Sequence, residues 1–369
     1  MRLAILGTRG VPAAYSGFEA LAEELGSRLV ERGHAVTVYG RPRYVPAGLR
    51  SFRGIRVVTL PTVPHKYLDT VVHTALSTMH ALTGRFDAVL VCNAANAIFT
   101  FLPRLVGTKV ALNVDGHDRD RKKWNLLGRW WYAVSEQFAL RFPNAIVTDA
   151  QVIEDYYLRV HGTSTHLIPY GAEAVRDHDR DVIDSFGLEP SRYILYVSRL
   201  EPENNAHAVI AGFERLPAPV KLAIVGDAPY AAEYISRLKA TRDPRIVFTG
   251  GVYGRGYRQL QTHARVYVQA TEVGGTHPAL VDAMAYAHAV VANDVPEHRE
   301  VLADTGIYFE AGRPETLTSA LERLLSEPPL AEEYGRRAEA RARALYSWSA
   351  VTDAYERLLD SLVHPSAVL

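Results

Sequence analysis

Three short glycine-bearing segments hold the residue types from which an anion site can be built. In TEVGGTHPALVDAMA, Thr271 to Ala285, the residues Gly274, Gly275 and Thr276 stand between a β-type run, Arg265 to Ala270, and a stretch where Leu280, Val281 and Met284 recur at helical spacing. Glycines let a backbone come close to a ligand, and the unpaired N–H groups that open a helix attract negative charge. An anion there gains about 0.3–1 kcal/mol from the helix dipole. The acidic Asp282 is spaced to hold a neighbouring hydroxyl, so a diphosphate next to a ribose meets both demands. An ordinary glycine-rich turn has the same pattern, so this segment alone decides nothing.

SRLEPENN, Ser198 to Asn205, also follows a strand-like run and precedes a helical one, which puts Arg199 at a strand end. A charge-assisted hydrogen bond from its guanidinium to an anion is worth about 1.5–3 kcal/mol, against ~0–1 for the plain alternative, a surface pair with Glu201 or Glu203. GTRGVPAAYSGFEALAEEL, Gly7 to Leu25, follows the first strand and opens a helix whose apolar face includes Phe18, Leu21, Ala22, Leu25 and Leu29. Gly7, Gly10 and Gly17 keep this loop low enough for a substrate to lie over it, Arg9 is placed for a phosphate, and Ser16 with Glu19 has capping-box spacing. Arg9 occupies the second glycine position of a dinucleotide fingerprint, which argues against a nicotinamide enzyme.

NVDGHDRDRKKWNLLGRWWY, Asn113 to Tyr132, ends a strand with Asp115 and His117, either of which has the chemistry of a general base toward an acceptor hydroxyl. Its continuation, Arg121 to Tyr132, interleaves basic residues with Trp124, Trp130 and Trp131. A helix of that composition can lie on an anionic membrane; equally, its rings can fill the domain core while the charges form a solvated face. The D-x-D pairs at Asp118-Arg119-Asp120 and Asp177-His178-Asp179 sit in alternating charge runs typical of exposed loops, and His263, His277 and His298 are too scattered to form a ligand set. No metal is expected.

These residues must be carried by repeated strand–loop–helix units. Short β-type runs at Leu3 to Leu6, Ala35 to Tyr39, Ala88 to Cys92, Lys109 to Asn113 and Ala145 to Thr148 alternate with helical patterns. The alternation resumes at Tyr193 to Val197, Lys221 to Val225, Ile246 to Thr249, Arg265 to Ala270 and Ala289 to Ala292, which implies a second parallel sheet. The length of 369 residues and 48% hydrophobic composition fit about two domains. The polar segment Glu173 to Asp181 reads as the linker, giving domains over 1–171 and 172–345 and a final helix within 346–369 that exposes Val351, Tyr355, Leu358 and Leu359 on one face. That face must pack against something, either the second domain or, crossing back, the first. In doubly wound sheets ligands sit beyond the carboxyl ends of the strands, where all three glycine segments fall, so the two domains are expected to face each other across the site.

Lys plus Arg and Asp plus Glu both number 41, so overall charge gives no argument for nucleic acid, and the single Cys92 excludes internal disulfides. There is no charge-free apolar span of about 18–20 residues. The expectation is a cytoplasmic protein, with peripheral contact to the inner face of the membrane through Arg121 to Tyr132.

In order along the chain, GTRGVPAAYSGFE, VDGHDRDRKKW, IPYGAE, SRLEPENN, VGDAPY, FTGGVYGRGYRQL, EVGGTHPALVDAMA and ANDVPEHREVL resemble the retaining glycosyltransferases of family 4, and within them the bacterial rhamnosyltransferase-like subgroup of polysaccharide biosynthesis. The resemblance implies the GT-B fold: α/β, two facing Rossmann-like doubly wound parallel-sheet domains with a C-terminal crossover helix. It implies a hexosyltransferase that takes a nucleotide-activated sugar, with dTDP-L-rhamnose favoured, to a saccharide or polyprenyl-linked acceptor without a metal or other cofactor. Residue by residue, it puts Arg199 and the backbone of Gly275 and Thr276 on the donor diphosphate and Asp282 on the ribose. It puts Gly250, Val252 and Tyr253 around the base, with Gly226 beside them, and Glu19 toward the sugar; Gly10 and Arg9 join them as donor-binding candidates. Asp115 or His117 falls on the acceptor side.

Two departures stand out. Asn204 occupies the position where the broad family pairs the arginine with a lysine, and Arg9 is the available compensation. Of the two glutamates that the family spaces eight positions apart, Gly274 stands at the first and Asp282 at the second, while Glu272, two residues early, is the acid left as a catalytic candidate. With no evident carboxylate nucleophile, the resemblance implies a front-face, oxocarbenium-like route. A nucleotide-sugar epimerase of the same fold and a catalytically silent nucleotide-sugar-binding protein are the alternatives.

Overall fold

The computed structural model describes residues 1–14, 16–65, 68–114 and 126–365. The chain divides into two compact units, one formed by Met1–Tyr170 with Trp348–Leu369 and the other by Gly171–Ser347.

The first unit begins β1 (Arg2–Leu6), α1 (Gly17–Glu31), β2 (Ala35–Gly40), β3 (Ser51–Phe52), β4 (Ile55–Thr59), α2 (Asp69–Ala81) and β5 (Ala88–Cys92). After a 3-10 segment, Ala94–Thr100, come α3 (Phe101–Leu105), β6 (Lys109–Asn113), α4 (Leu126–Ala139), β7 (Ala145–Thr148), α5 (Gln151–His161) and β8 (His166–Leu167). The strands form one sheet in the order β3-β4-β2-β1-β5-β6-β7-β8. All pairings are parallel except β3 with β4 at the edge. Central strands covered on both faces read as continuous apolar runs, and Leu3, Ile5, Val89, Val91, Val110 and Leu112 are all buried.

The second unit comprises α6 (Asp181–Ser185), β9 (Tyr193–Val197), α7 (Ala206–Glu214), β10 (Lys221–Val225), α8 (Ala232–Leu238), β11 (Ile246–Gly250), α9 (Gly254–His263), β12 (Val266–Gln269) and α10 (Pro278–Ala285). It continues with β13 (Ala289–Asn293), α11 (Pro296–Leu302), β14 (Ile307–Phe309), α12 (Pro314–Ser326) and α13 (Pro328–Leu345). Its sheet is wholly parallel, ordered β11-β10-β9-β12-β13-β14. The core is continuous through Ile194, Tyr196, Phe213, Leu222, Ile224, Val268, Val291 and Leu321.

The chain then returns to the first unit with α14 (Trp348–Val363). Val351, Tyr355, Leu358 and Leu359, the apolar face of its sequence, are buried. Each such side chain contributes about 1.5–3 kcal/mol of gross burial energy. Polar contacts fix the register: Asn113 Nδ2 donates to the Tyr355 hydroxyl at 2.7 Å, and Arg32 reaches Asp353 at 2.6 Å and Glu356 at 2.5 Å. Every β-type run marked in the sequence is a strand. The sequence reading omits β3, β4, β8 and β14, of which β3 and β8 have only two residues and β14 three, too short for any periodicity.

Candidate functional site

In the second unit the chain runs outward from β9 through β10 to β11 on one side, then crosses back to β12 on the other side of β9. Such a switch point opens a crevice at the carboxyl ends of the two neighbouring strands. Ser198–Asn205 follows β9 and Thr271–Thr276 follows β12, so both segments lie at that crevice.

The two loops are tied to each other through main-chain groups. Glu272 N donates to Glu203 O at 3.0 Å, and Asn205 Nδ2 donates to Ala270 O at 3.0 Å. Asn204 is 3% exposed; its Nδ2 donates to Arg199 O at 2.6 Å, and its own carbonyl accepts the Tyr196 hydroxyl at 2.6 Å. Asn204 therefore shapes the Arg199 backbone. Among the described residues, the Arg199 guanidinium has one polar contact, a loose ion pair with Glu201 at 3.7 Å. A pair at that distance is worth ~0–1 kcal/mol, which an incoming anion can outbid. Glu203, the other carboxylate close in sequence, is fully buried, and neither of its oxygens has a hydrogen-bond partner among the described residues.

Gly226 follows β10 with φ 142°, and a Cβ there would lie 1.8 Å from Ser198 O, so only glycine allows these loops to meet. At Gly274 a Cβ would lie 2.4 Å from the His277 ring. The glutamate that the family has at this position would displace His277. Glu272 is half-buried on the same loop. Gly274, Gly275 and Thr276 are all buried, but α10 begins only at Pro278. The sequence reading starts the helix at the glycines; the structure places them in the preceding loop, because Pro278 has the φ of a first helical residue and no N–H to offer. Gly250, with φ 70°, ends β11 and accepts Gly226 N at 2.9 Å, while Val252 is half-buried and Tyr253, 47% exposed, precedes α9.

Asp282 lies on α10, where its Oδ2 accepts the Tyr257 hydroxyl at 3.0 Å. Tyr257 was not marked in the sequence: a tyrosine on a polar helix carries no local sign that a carboxylate 25 residues later will meet it. Burial, then the Asp282 charge, push this phenol well above its ordinary range, so it stays protonated and donates.

In the first unit, the loop after β1 is closed upon itself. Glu19, 2% exposed, accepts Arg9 N at 2.7 Å with one oxygen and the Ser16 hydroxyl at 2.6 Å with the other. The reciprocal capping box does not form, since Ser16 makes no side-chain cap to the helix and donates to the carboxylate instead. Gly10 is buried, and a Cβ there would lie 2.7 Å from Gly40 Cα. The Arg9 guanidinium stands 5.1 Å from the Tyr44 ring centroid. Beneath it is an arginine the sequence reading overlooked: Arg41 is 1% exposed and pairs with Asp69 at 2.5 Å.

Asp115, His117, the Asp118-Arg119-Asp120 triplet and Arg121–Asn125 lie outside the described residues. Of the aromatic run that follows, Trp130 is 59% exposed, whereas Trp131 Nε1 donates to Ala95 O at 3.1 Å and Tyr132 is 9% exposed. The two readings of this helix thus divide by residue, Trp130 outward and Tyr132 in the core. Asp177 and Asp179 are held by Arg255, at 3.2 and 2.6 Å, together with Asp181 at 2.8 Å. His263 and His298 face the carbonyls of Asp179 and Asn293 at 3.0 and 2.8 Å. No helix of the described residues is long and apolar enough to cross a membrane.

Residues 16–171 match the family described as glycosyl transferase 4-like domain, and residues 191–327 match glycosyl transferases group 1. Alpha-maltose-1-phosphate synthase of Mycobacterium tuberculosis is 26% identical over 96% of this chain and 97% of its own length. The N-acetylgalactosamine-N,N'-diacetylbacillosaminyl-diphospho-undecaprenol 4-alpha-N-acetylgalactosaminyltransferase of Campylobacter jejuni is 24% identical over 52% of this chain, a match that spans 53% of that protein. Among solved structures, sucrose-phosphate synthase from Thermosynechococcus elongatus superposes with TM-score 0.81 at 19% identity, covering 99% of this chain and 100% of that one. Anabaena HepE, in complex with UDP and glucose, superposes with TM-score 0.80 at 17% identity, covering 98% and 100%. At these identities the superpositions establish a shared fold. With a strand-switch crevice in its second unit and both halves matched in order, the chain is a GT-B glycosyltransferase, built of a glycosyl transferase 4-like domain followed by a group 1 domain.

Proposed function

We propose that the protein is a retaining, metal-independent transferase that moves a sugar from a nucleoside diphosphate to a hydroxyl of a saccharide or lipid-linked saccharide, with dTDP-L-rhamnose the favoured donor. One observation carries the reading. At the β9/β12 crevice, Arg199 has only a loose partner and stands on a loop bonded to the glycine strap that precedes α10. A guanidinium and main-chain N–H groups directed at a leaving diphosphate stabilise the charge that develops there, which is the task a metal would otherwise perform. Asp282 takes the ribose, Gly250 to Tyr253 receive the base, and Gly226 gives room beside it. The acceptor is assigned to the first unit, with Asp115 or His117 as the polar group on its side.

The relatives' names support a nucleotide-sugar donor, since HepE is seen with UDP-glucose, and a lipid-linked acceptor, since the Campylobacter protein acts on a diphospho-undecaprenol saccharide. Such an acceptor would bring the first unit to an anionic membrane, with Leu126 and Trp130, both exposed, as the apolar contacts of the Arg121 to Tyr132 stretch.

The test is incubation with dTDP-L-rhamnose, UDP-glucose and other nucleotide sugars, with excess chelator, in the presence of polyprenyl-diphosphate saccharides. Product mass and anomeric configuration are then read. Transfer with retained configuration is the expected result. Conversion of the donor without an acceptor would point to an epimerase, and no reaction with any donor would leave a binding protein.

A further inference from the structure

The residues behind Asp282 form a chain that no sequence motif marks. Tyr257 and Gln261 stand one turn apart on α9, and His288 follows α10. The Tyr257 hydroxyl is 3.0 Å from Asp282 Oδ2, Gln261 Nε2 is 2.7 Å from the Tyr257 oxygen, and His288 Nε2 is 3.1 Å from Gln261 Oε1. Gln261 is 0% exposed and His288 4%, so water does not compete for the bond between them.

The direction of the chain follows from its end. An ionised carboxylate only accepts, so Tyr257 spends its single proton on Asp282. The phenol oxygen must then accept from Gln261, which turns the amide nitrogen toward it. That leaves the amide oxygen facing His288, whose Nε2 must carry the hydrogen. Burial, helped by the Arg176 charge, holds His288 down to about 4, so at neutral pH the ring has one proton, and the chain claims it. Each link polarises the next in the same sense.

Resting on the donor reading of Asp282, we propose that Tyr257, Gln261 and His288 are positioning residues, a one-way chain of donors that fixes the Asp282 carboxylate as acceptor for the ribose hydroxyls and so sets selectivity for nucleotides that carry them. An aspartate reaches one methylene less far than the family's glutamate. A carboxylate held before binding pays less to become ordered, which offsets part of the lost reach.

The test is calorimetric binding, on the full chain, of UDP and dTDP, each beside an analogue lacking sugar hydroxyls, 2′,3′-dideoxy-UDP and 3′-deoxy-dTDP. Wild-type protein is expected to prefer the hydroxylated member of whichever pair binds. Tyr257→Phe keeps the ring and removes the proton; it should lose about 5- to 10-fold in affinity for the hydroxylated nucleotide and nothing for its analogue. Gln261→Leu, which leaves Tyr257 in place but unoriented, should lose about 3-fold in the same selective way. Equal losses on both ligands in folded variants, or no loss on either, would overturn the chain while leaving the Asp282 reading intact. A wild-type protein that binds both members equally removes the ribose role of Asp282, and the chain with it.

Discussion

The loops after β1 and β9 have the same local grammar, strand, polar turn, helix, with an arginine near the strand end, yet they use their charges in opposite ways. After β1, both oxygens of Glu19 are engaged by Arg9 N and Ser16, Ala13 N is held by Glu23 at 2.7 Å, and the arginine beneath is locked to Asp69. After β9, Arg199 has a single loose partner among the described residues. Where charged groups are satisfied by their own loop they stabilise a shape; where one is left loosely held, a ligand can supply the missing bond. Residue type and spacing do not separate these cases, because what distinguishes them is where each bond goes.

The sharpest break of this comparison is Arg199→Ala. Turnover should fall about 10²- to 10³-fold, the range for removing one donor to developing negative charge, with the melting temperature unchanged. A stability loss in place of an activity loss would make the two loops alike.

Acid should separate the two units next. His288 and His298 in the second unit and His73 in the first are each lowered to about 4, in every case chiefly by burial. Their folded pKa values lie below the unfolded value, so their contribution is complete above about 6.5 and is lost as pH falls toward 4. Between pH 6.5 and 5 each costs about 2 kcal/mol, so the second unit should lose about 2 kcal/mol more than the first. Hydrogen exchange followed by peptide across that window reads the two units separately; equal loss would contradict this assignment.

Glu19→Ala should lower unfolding free energy by about 1–2 kcal/mol, since it strands a part-buried backbone N–H and a part-buried hydroxyl, and urea unfolding measures it. The mirror change in the second unit, Asp282→Ala, should act on ligand as well. Nucleotide affinity is expected to drop about 10-fold, or 1.4 kcal/mol, by calorimetry, while the stranded Tyr257 hydroxyl costs about 1 kcal/mol of stability.

Much of the fold was legible because it is written in local periodicity. The apolar face of α1, with Phe18, Leu21, Ala22, Leu25 and Leu29, is buried as its spacing predicts, and so is that of α14. The site was legible as far as its loops: the segments containing Arg199, Gly226, Gly250, Gly274 and Asp282 do follow, or lie beyond, parallel strands of one sheet. Less legible was the use made of each side chain. The Asn204 amide turns to the Arg199 carbonyl, and Glu19 holds Arg9 N. One bond lies within a loop and the other joins a loop to the helix it opens, and both depend on torsions that spacing does not fix.

By itself the sequence determined two α/β halves, the glycines at their strand ends and the family to which those motifs point, since strand, helix and turn preferences act over a few residues. Only the tertiary structure decided that α10 starts after the glycine strap and that Tyr257 holds Asp282. Partners such as Asn113 and Tyr355, 242 residues apart, meet because packing brings their elements together, and no local preference encodes that meeting.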